Sequence, residues 1–187
     1  MIDKQMGVAK KRKHEIRMPV AEFVNSLTWL TQKPEIGETD EETMRNFDDA
    51  VEHGAAWGFP IGGIKQSWIT GAYRSGMDVK QTELRGAFFL SGAGPHSTNE
   101  FAEIITPEPP LMREDMVRVG GISKSSDLRY RAQFNAWEIP LILRYNKNGK
   151  YTLQQILACV NAGGFSVGIG EWRPERDGQY GMFSLKV

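Results

Sequence analysis

The feature that most constrains the fold is a glycine-rich stretch near the C-terminus, over residues 163–181. Its six glycines are Gly163, Gly164, Gly168, Gly170, Gly178 and Gly181. Glycine permits positive φ and lets the backbone approach a ligand or another strand closely. The stretch therefore predicts a tight loop with a close neighbour.

Regular elements are predicted on both sides of this loop. Thr152 and Gln155 have the spacing of a capping box, and an apolar stripe over 153–160 predicts a helix. Gly163 is expected to end that helix as its left-handed residue. Beyond the loop, alternation over residues 182–187 predicts a half-buried strand.

The rest of the chain reads as alternating strands and helices. The patterns predict a first strand reaching about Pro19, a helix from Thr39 or Asp40 to Gly54, a turn over 59–63 with a helix over 64–72, a strand over 87–90, a loop insertion up to Pro110, a hairpin over 113–131 and a strand over 137–145. Pro140 predicts an edge or a bulge in the last of these strands. We therefore expect one α+β domain over residues 1–187, with helices covering one face of a sheet.

Composition limits the classes of function. The 23 basic and 23 acidic side chains cancel, so bulk charge cannot hold nucleic acid or an anionic membrane, and any nucleic-acid contact needs a local patch. The single cysteine, Cys159, cannot form an intramolecular disulfide and fits a reducing cytoplasm. With no apolar run of membrane-spanning length and no secretory signal, we expect a cytoplasmic protein with no membrane partner.

Local basic patches are present. A basic arm lies within residues 1–13, and the hairpin over 113–131 carries five basic against three acidic side chains. Tyr130 and Phe134 add aromatic surface, on which bases stack in single-strand binders. Core aromatics beside solvated charges are an equally supported alternative. Lys65 and Arg74 of the segment 58–74 could also reach a polyanion, with surface solvation as an equally supported alternative. The candidate nucleic-acid contacts are therefore Lys65, Arg74, Arg118, Lys124, Arg129 and Arg131.

A reaction centre is less well supported than a binding surface. Gly168 and Gly170 suggest the dinucleotide fingerprint, but Arg173 stands where a third glycine is needed. No pair of histidines has metal-ligand spacing, so no metal or cofactor is expected. His14, His53 and His96 are scattered, and only the fold could assemble them into an active site.

The C-terminal part resembles the RAMP superfamily. The helix over 153–160 followed by Gly163-Gly164, the segment 167–170, Gly178 and the segment 181–183 is similar to the glycine-rich C-terminal signature of those RRM-like proteins, which include backbone subunits and crRNA-processing ribonucleases of CRISPR effectors. The segments 59–65 and 72–74 resemble a central part of the backbone subunits, although Gln66 and Ser67 replace the usual glycine-alanine pair. The tail over 167–174 and 180–183 resembles a group of small solitary proteins encoded by bacteriophages.

The resemblance implies a ferredoxin-like (RRM-like) antiparallel sheet with helices on one face. It implies a thumb-like hairpin at 113–131 and single-stranded nucleic acid, RNA more than DNA, held across sheet and hairpin. The amides around Gly168 and Gly170 would approach phosphates, beside Trp172, Arg173 and Arg176. The equally weighted alternative is that Trp172 packs into the core and locks a hairpin turn.

Three functions follow as hypotheses. The first is a non-enzymatic protein of bacteriophage origin that binds single-stranded nucleic acid in the bacterial cytoplasm and stacks head to tail into a helical homo-oligomer along it. The second is a metal-independent RAMP-type endoribonuclease that uses a histidine as general base. The third is a counter-defence protein that imitates a CRISPR backbone subunit and binds the effector or another host complex.

Overall fold

The computed structural model describes residues 17–118 and 126–186, and these residues belong to the predicted α+β class, although their strands form two-stranded pairs and not the single sheet expected from the sequence. Their helices are α1 (Pro19–Ser26), α2 (Asp40–Glu52), α3 (Ile61–Arg74), α4 (Gln81–Ala87) and α5 (Leu153–Ser166), with a short 3-10 helix at Pro174–Arg176. Their strands are β1 (Trp57–Pro60), β2 (Phe88–Gly92), β3 (Phe101–Ile104), β4 (Leu111–Arg118), β5 (Ser126–Gln133) and β6 (Leu141–Tyr145). The strands form three antiparallel pairs, β1 with β3, β2 with β6 and β4 with β5. Among the described residues no helix has the length and apolar character needed to cross a membrane.

The first predicted strand is wrong, because Pro19 begins helix α1 instead. Proline suits the first helical position, where its missing amide would have no intrahelical partner. The helix buries Phe23 and Val24 in a cluster with Phe47 of α2 and Trp57 of β1. The short apolar alternation that predicted a strand does not outweigh this burial. Ile16, the first apolar residue of that alternation, lies outside the described residues.

Helix α1 also covers the free edge of the hairpin. The Ala132 amide donates to Ser26 Oγ at 2.9 Å, and the Tyr130 amide donates to Glu22 Oε2 at 3.4 Å. These side chains satisfy strand amides that would otherwise present an edge for pairing with another chain. Strands β4 and β5 confirm the predicted hairpin, whose turn at residues 119–125 lies outside the described part.

The predicted starts of α2 and α5 are confirmed, whereas α3 begins at Ile61, within the predicted turn over 59–63. The Thr39 hydroxyl accepts from the Glu42 amide at the start of α2. At the start of α5, Thr152 and Gln155 form the reciprocal capping box. Gly54, with φ of +84°, follows α2 at the predicted stop.

The core is centred on the crossing of α3 and α5, and here Gly163 differs from its predicted role. Helix α5 continues through Gly163 to Ser166. A Cβ on Gly163 would lie 2.8 Å from the Ser67 carbonyl oxygen, and one on Gly71 would lie 2.4 Å from the Gly163 Cα atom. The Ser67 hydroxyl donates to the Gly163 carbonyl at 3.2 Å. Gly163 thus allows two backbones to meet, and the left-handed turn comes at Gly168, with φ of +69°.

The structure differs from two predictions, the start of the strand over 137–145 and the loop insertion before Pro110. Strand β6 starts only after Pro140, since proline has no amide to give to a ladder. The predicted loop insertion contains β3, which pairs with β1. Ile105 exchanges two hydrogen bonds of 2.8 Å with Glu138, linking the two regions.

The predicted C-terminal strand is wrong over its described residues, 182–186. The Phe183 amide donates to the Gly164 carbonyl at 3.4 Å, and the Leu185 amide donates to Asn161 Oδ1 at 2.9 Å. Helix α5 therefore takes the bonds that a neighbouring strand would have used. Val187 lies outside the described residues.

The helix crossing gives a direct test of glycine as a packing residue. Gly71→Ala should lower the free energy of unfolding by about 1–3 kcal/mol, because the added methyl meets the backbone of α5. Gly62→Ala is the matched control on the same helix, since a Cβ there has nothing within 4 Å and alanine favours helix. Urea denaturation of both variants measures the difference, and equal stabilities would contradict this account of the crossing.

Candidate nucleic-acid interface

A cleft of about 580 Å³ lies between β1, the base of the hairpin and the glycine loop. We call it the hairpin–loop cleft, and its walls come from residues 26–28, 57–60, 131–135, 169–171 and 179–182, with Ile104, Arg113, Trp137 and Ile139. It joins segments far apart in the chain. A pocket of this size falls within the range that small ligands occupy.

Aromatic side chains form much of this lining. Trp57 is buried and packs edge-on against Phe134, with ring centroids 5.9 Å apart. Tyr180 is 50% exposed, and the Arg113 guanidinium lies over its ring at 4.7 Å from the centroid. The buried Trp57 Nε1 has no hydrogen-bond partner among the described residues. The cleft thus offers an aromatic face, of which the ring of Tyr180 is the exposed part.

Amides surround the aromatic side chains. Gln133 Nε2 donates to Asn135 Oδ1 at 2.8 Å, and Gln179 also lines the cleft. The backbone amides of Gly170 and Glu171 have no protein acceptor within the described ranges. Neutral donors and acceptors of this kind match the edges of nucleobases.

The charges in the cleft are already paired. Arg113 binds both carboxylate oxygens of Asp115, at 2.8 and 2.7 Å. Arg131 lies 2.6 Å from a carboxylate oxygen of Glu171 and 3.7 Å from one of Asp115. Two arginines therefore face two carboxylates, and the lining has no excess positive charge from these four groups.

The glycine loop is closed by its own hydrogen bonds. The Ile169 amide donates to Gly181, the Glu175 amide to Val167 and the Tyr180 amide to Trp172, at 2.9 to 3.2 Å. Gly178 and Gly181 permit this closure, because a Cβ on either would lie 1.8 Å or less from a carbonyl oxygen. For Gly178 and Gly181, the predicted close neighbour is the loop itself, whereas for Gly163 it is helix α3.

Glu175 holds one side of the loop to helix α3. Its carboxylate accepts from Arg173 at 2.7 and 3.1 Å and from Arg74 at 3.0 Å. The hydrogen bond from Arg173 is the main cause of the lowered pKa of Glu175, and the positive charges of Arg173 and Arg74 add to it. Arg173 also donates to the Gly170 carbonyl at 2.8 Å. Arg74 and Arg173 thus position the loop.

The predicted contacts fall into distinct groups in the structure. Arg131 and Gly170 line the cleft. Lys65 lies apart from it, where its ammonium donates to the Arg85 carbonyl at 2.7 Å and burial lowers its pKa. Arg129 is paired with Asp127 at 2.9 Å. Arg176 is exposed.

The remaining four predicted residues either do not line the cleft or lie outside the described part of the chain. Gly168 faces its own loop, since a Cβ there would lie 2.8 Å from Pro174 Cδ. Lys124 and the side chain of Arg118 lie outside the described part. Trp172 is 45% exposed and has φ of +52°, so the alternative in which it packs into the core is wrong.

Sequence reasoning missed several members of the cleft. Tyr180, Gln133, Asn135 and Gln179 come from two segments that pattern analysis treated as tail and strand connection. Glu171 and Asp115 were not recognised as partners of Arg131. The opposite charges of Asp115 and Arg131 in the hairpin were the available signal for one pair, but that pairing depends on strand register, and Glu171 reaches Arg131 from the glycine loop. His53 and His96 do not line the cleft, and His14 lies outside the described residues.

Comparisons with family models, with curated proteins and with solved structures find no match to this chain.

Removal of the Glu175 charge tests how the loop is held. Glu175→Gln should reduce the free energy of unfolding at pH 7 by about 1 kcal/mol, a figure that allows for solvent screening. Because the folded-state pKa is lowered, the carboxylate stabilises the fold above its usual pKa of 4.5, and this contribution is lost as the pH falls through the folded value. Urea titrations at pH 7 and pH 3 should therefore show a difference that shrinks in acid. Glu38→Gln is the matched control, and a deficit independent of pH would contradict the assignment.

Proposed function

We propose that this protein binds single-stranded nucleic acid in the hairpin–loop cleft, RNA in preference to DNA. The observation that carries the proposal is a cleft lined by exposed Tyr180, by other aromatic rings and by amide side chains. Bases of single strands stack on aromatic rings and present their edges to amides. The resemblance to RRM-like RAMP proteins supports RNA as the ligand.

The mode of binding follows from the paired charges. Arg113 and Arg131 are held by carboxylates, so few phosphates can be neutralised without breaking an ion pair. Stacking and base contacts then supply most of the affinity, and its dependence on salt is shallow. The free amides of Gly170 and Glu171 supply donors for a phosphate or a base carbonyl at the loop.

We further propose a ferredoxin-like arrangement. The order β1, α3, β2, β6, α5 corresponds to the strand–helix–strand–strand–helix order of that fold, with α4 inserted between α3 and β2 and with β3, β4 and β5 inserted between β2 and β6. The segment 182–186 takes the place of the last strand, although it bonds to α5. A hairpin inserted at this point agrees with the thumb of the RAMP backbone subunits and supports head-to-tail assembly along the ligand.

Truncation of Tyr180 tests the stacking surface. Tyr180→Ala should weaken binding of a fluorescein-labelled 12-nucleotide poly-uridine by about 10-fold in fluorescence anisotropy, since one stacked base contributes about 1–3 kcal/mol. Tyr180→Phe keeps the ring and should bind as the wild type does. Phe165→Ala is the matched control, because Phe165 is 74% exposed on α5 and does not line the cleft. Equal affinities for all four proteins would contradict the site, and intact RNA after incubation separates binding from cleavage.

Release of Arg131 from its partner tests the role of charge. Glu171→Gln should raise affinity for the same RNA by about 3- to 10-fold at low salt, because the freed guanidinium can bind a phosphate. The slope of log affinity against log salt should steepen by about one charge. Glu52→Gln removes the same charge from α2 and serves as control. An unchanged slope in Glu171→Gln would show that no phosphate reaches Arg131.

Protein interaction is the second candidate function. The mutual neutralisation of Arg113, Asp115, Arg131 and Glu171 favours it, since a protein surface need not carry excess positive charge. Size-exclusion chromatography with absorbance at 260 and 280 nm separates the candidates. A large species that shrinks on RNase treatment supports the RNA-bound oligomer, and a protein-only peak supports the protein partner.

A further inference from the structure

A second groove lies beside residues 182–186. It shares a few lining residues with the hairpin–loop cleft, but most of its lining is different. It has a volume of about 870 Å³ and runs between residues 137–143 and residues 182–186, and we call it the C-terminal groove. Its floor includes Trp68 of α3 with Leu157 and Val160 of α5. At one end its walls meet, where Trp137 contacts Phe183 and Glu138 pairs with Lys186.

One wall of the groove is an unpaired strand edge. The Ala93 amide donates to the Pro140 carbonyl at 3.0 Å, which places Pro140 and alternate residues after it in hydrogen-bonded positions facing β2. Leu141 and Leu143 therefore direct their backbone N–H and C=O groups away from β2. Among the described strands, β2 is the only partner of β6. Leu141 and Leu143 also line the groove.

The opposite wall shows the same alternation. The amides of Phe183 and Leu185 are bonded to α5. Neither Ser184, which lies between them, nor Lys186 has a backbone hydrogen-bond partner among the described residues, and both line the groove. Two chain segments thus carry unused backbone donors and acceptors along the same groove.

The residues that line the floor of the groove indicate which ligand side chains would fit there. Trp68, Leu157 and Val160 are apolar, and the charges of Glu138 and Lys186 neutralise each other. The buried Nε1 of Trp68, a residue only 5% exposed, has no acceptor in the described part of the chain. The apolar floor and the paired charges favour an uncharged ligand with apolar groups.

We propose that the C-terminal groove binds an extended peptide segment of a partner protein, which adds as a strand to the free edge of β6. This is recognition by β-strand addition, in which main-chain hydrogen bonds give affinity and alternate side chains enter the floor. The wall formed by β6 is five residues long, which corresponds to about 16 Å and to a bound core of about five residues. The expected segment is uncharged and has apolar side chains at alternate positions.

Hydrogen exchange on the full chain, followed by ¹⁵N–¹H NMR, tests the proposal. In the free protein the amides of Leu141 and Leu143 should exchange at least about 10-fold faster than those of Ile142 and Arg144, which are bonded to β2. The probe is the acetylated, amidated peptide Thr-Val-Thr-Val-Thr-Val-Thr. Its addition should slow exchange at Leu143 and Ser184 by about 10-fold.

The control is the same peptide with N-methyl groups on alternate residues, prepared in both registers. It keeps the side chains but cannot complete the backbone ladder, so both N-methylated forms should fail to protect these amides. Because this control uses the unmodified protein, it does not depend on a variant folding. Equal protection by N-methylated and unmodified peptides would overturn the proposal, and so would absence of binding by the unmodified peptide at about 1 mM.

A protein variant gives an independent readout. Leu143→Pro removes an amide that faces the groove and leaves the β2 ladder bonds in place, so it should abolish protection of Ser184 by the peptide. Circular dichroism establishes that the variant is folded, and RNA affinity should stay unchanged because Leu143 does not line the hairpin–loop cleft. Retained protection in the folded variant would overturn strand addition to β6.

Discussion

The close crossing of α3 and α5 is the contact on which the rest of the structure depends. Gly71 and Gly163 bring the two backbones together, and the Ser67 hydroxyl adds a hydrogen bond at the same point. The strands β2 and β6 and the C-terminal segment then pack around this helix pair. A side chain at either glycine would separate the helices and displace residues that line the hairpin–loop cleft and the C-terminal groove.

The glycine loop connects this helix pair to the hairpin–loop cleft. It leaves α5, folds back through its own backbone hydrogen bonds, and is held to α3 by Arg74 and Glu175. Trp172 accepts a positive φ, a conformation that costs about 1–3 kcal/mol, within this closed loop. The loop thereby places Tyr180 and Gly170 beside the base of the hairpin along the hairpin–loop cleft.

The ion pairs of its arginines distinguish this cleft from a simple basic patch. Most of the arginines that were predicted as nucleic-acid contacts form ion pairs. Arg131 pairs with Asp115 and Glu171 in the cleft, and Arg129 and Arg74 pair with Asp127 and Glu175. In a protein of zero net charge, such internal pairing means that the proposed binding would depend on shape, stacking and backbone contacts. The same reasoning applies to the C-terminal groove, where unused backbone groups and an apolar floor replace charge.

The sequence alone determined the local elements whose signals act over a few residues. The capping box at Thr152, the cap at Thr39, the hairpin over 113–131 and the α+β class follow from side-chain hydrogen bonding and periodicity. Only the tertiary structure decided the role of Gly163, the helix at Pro19, the pairing of Arg131 with Glu171 and the course of residues 182–186. These outcomes depend on contacts between segments distant in the chain, where burial against a neighbour and competition for hydrogen-bond partners outweigh local preference. A glycine permits a turn and a close approach equally well, and its neighbour in space decides between them.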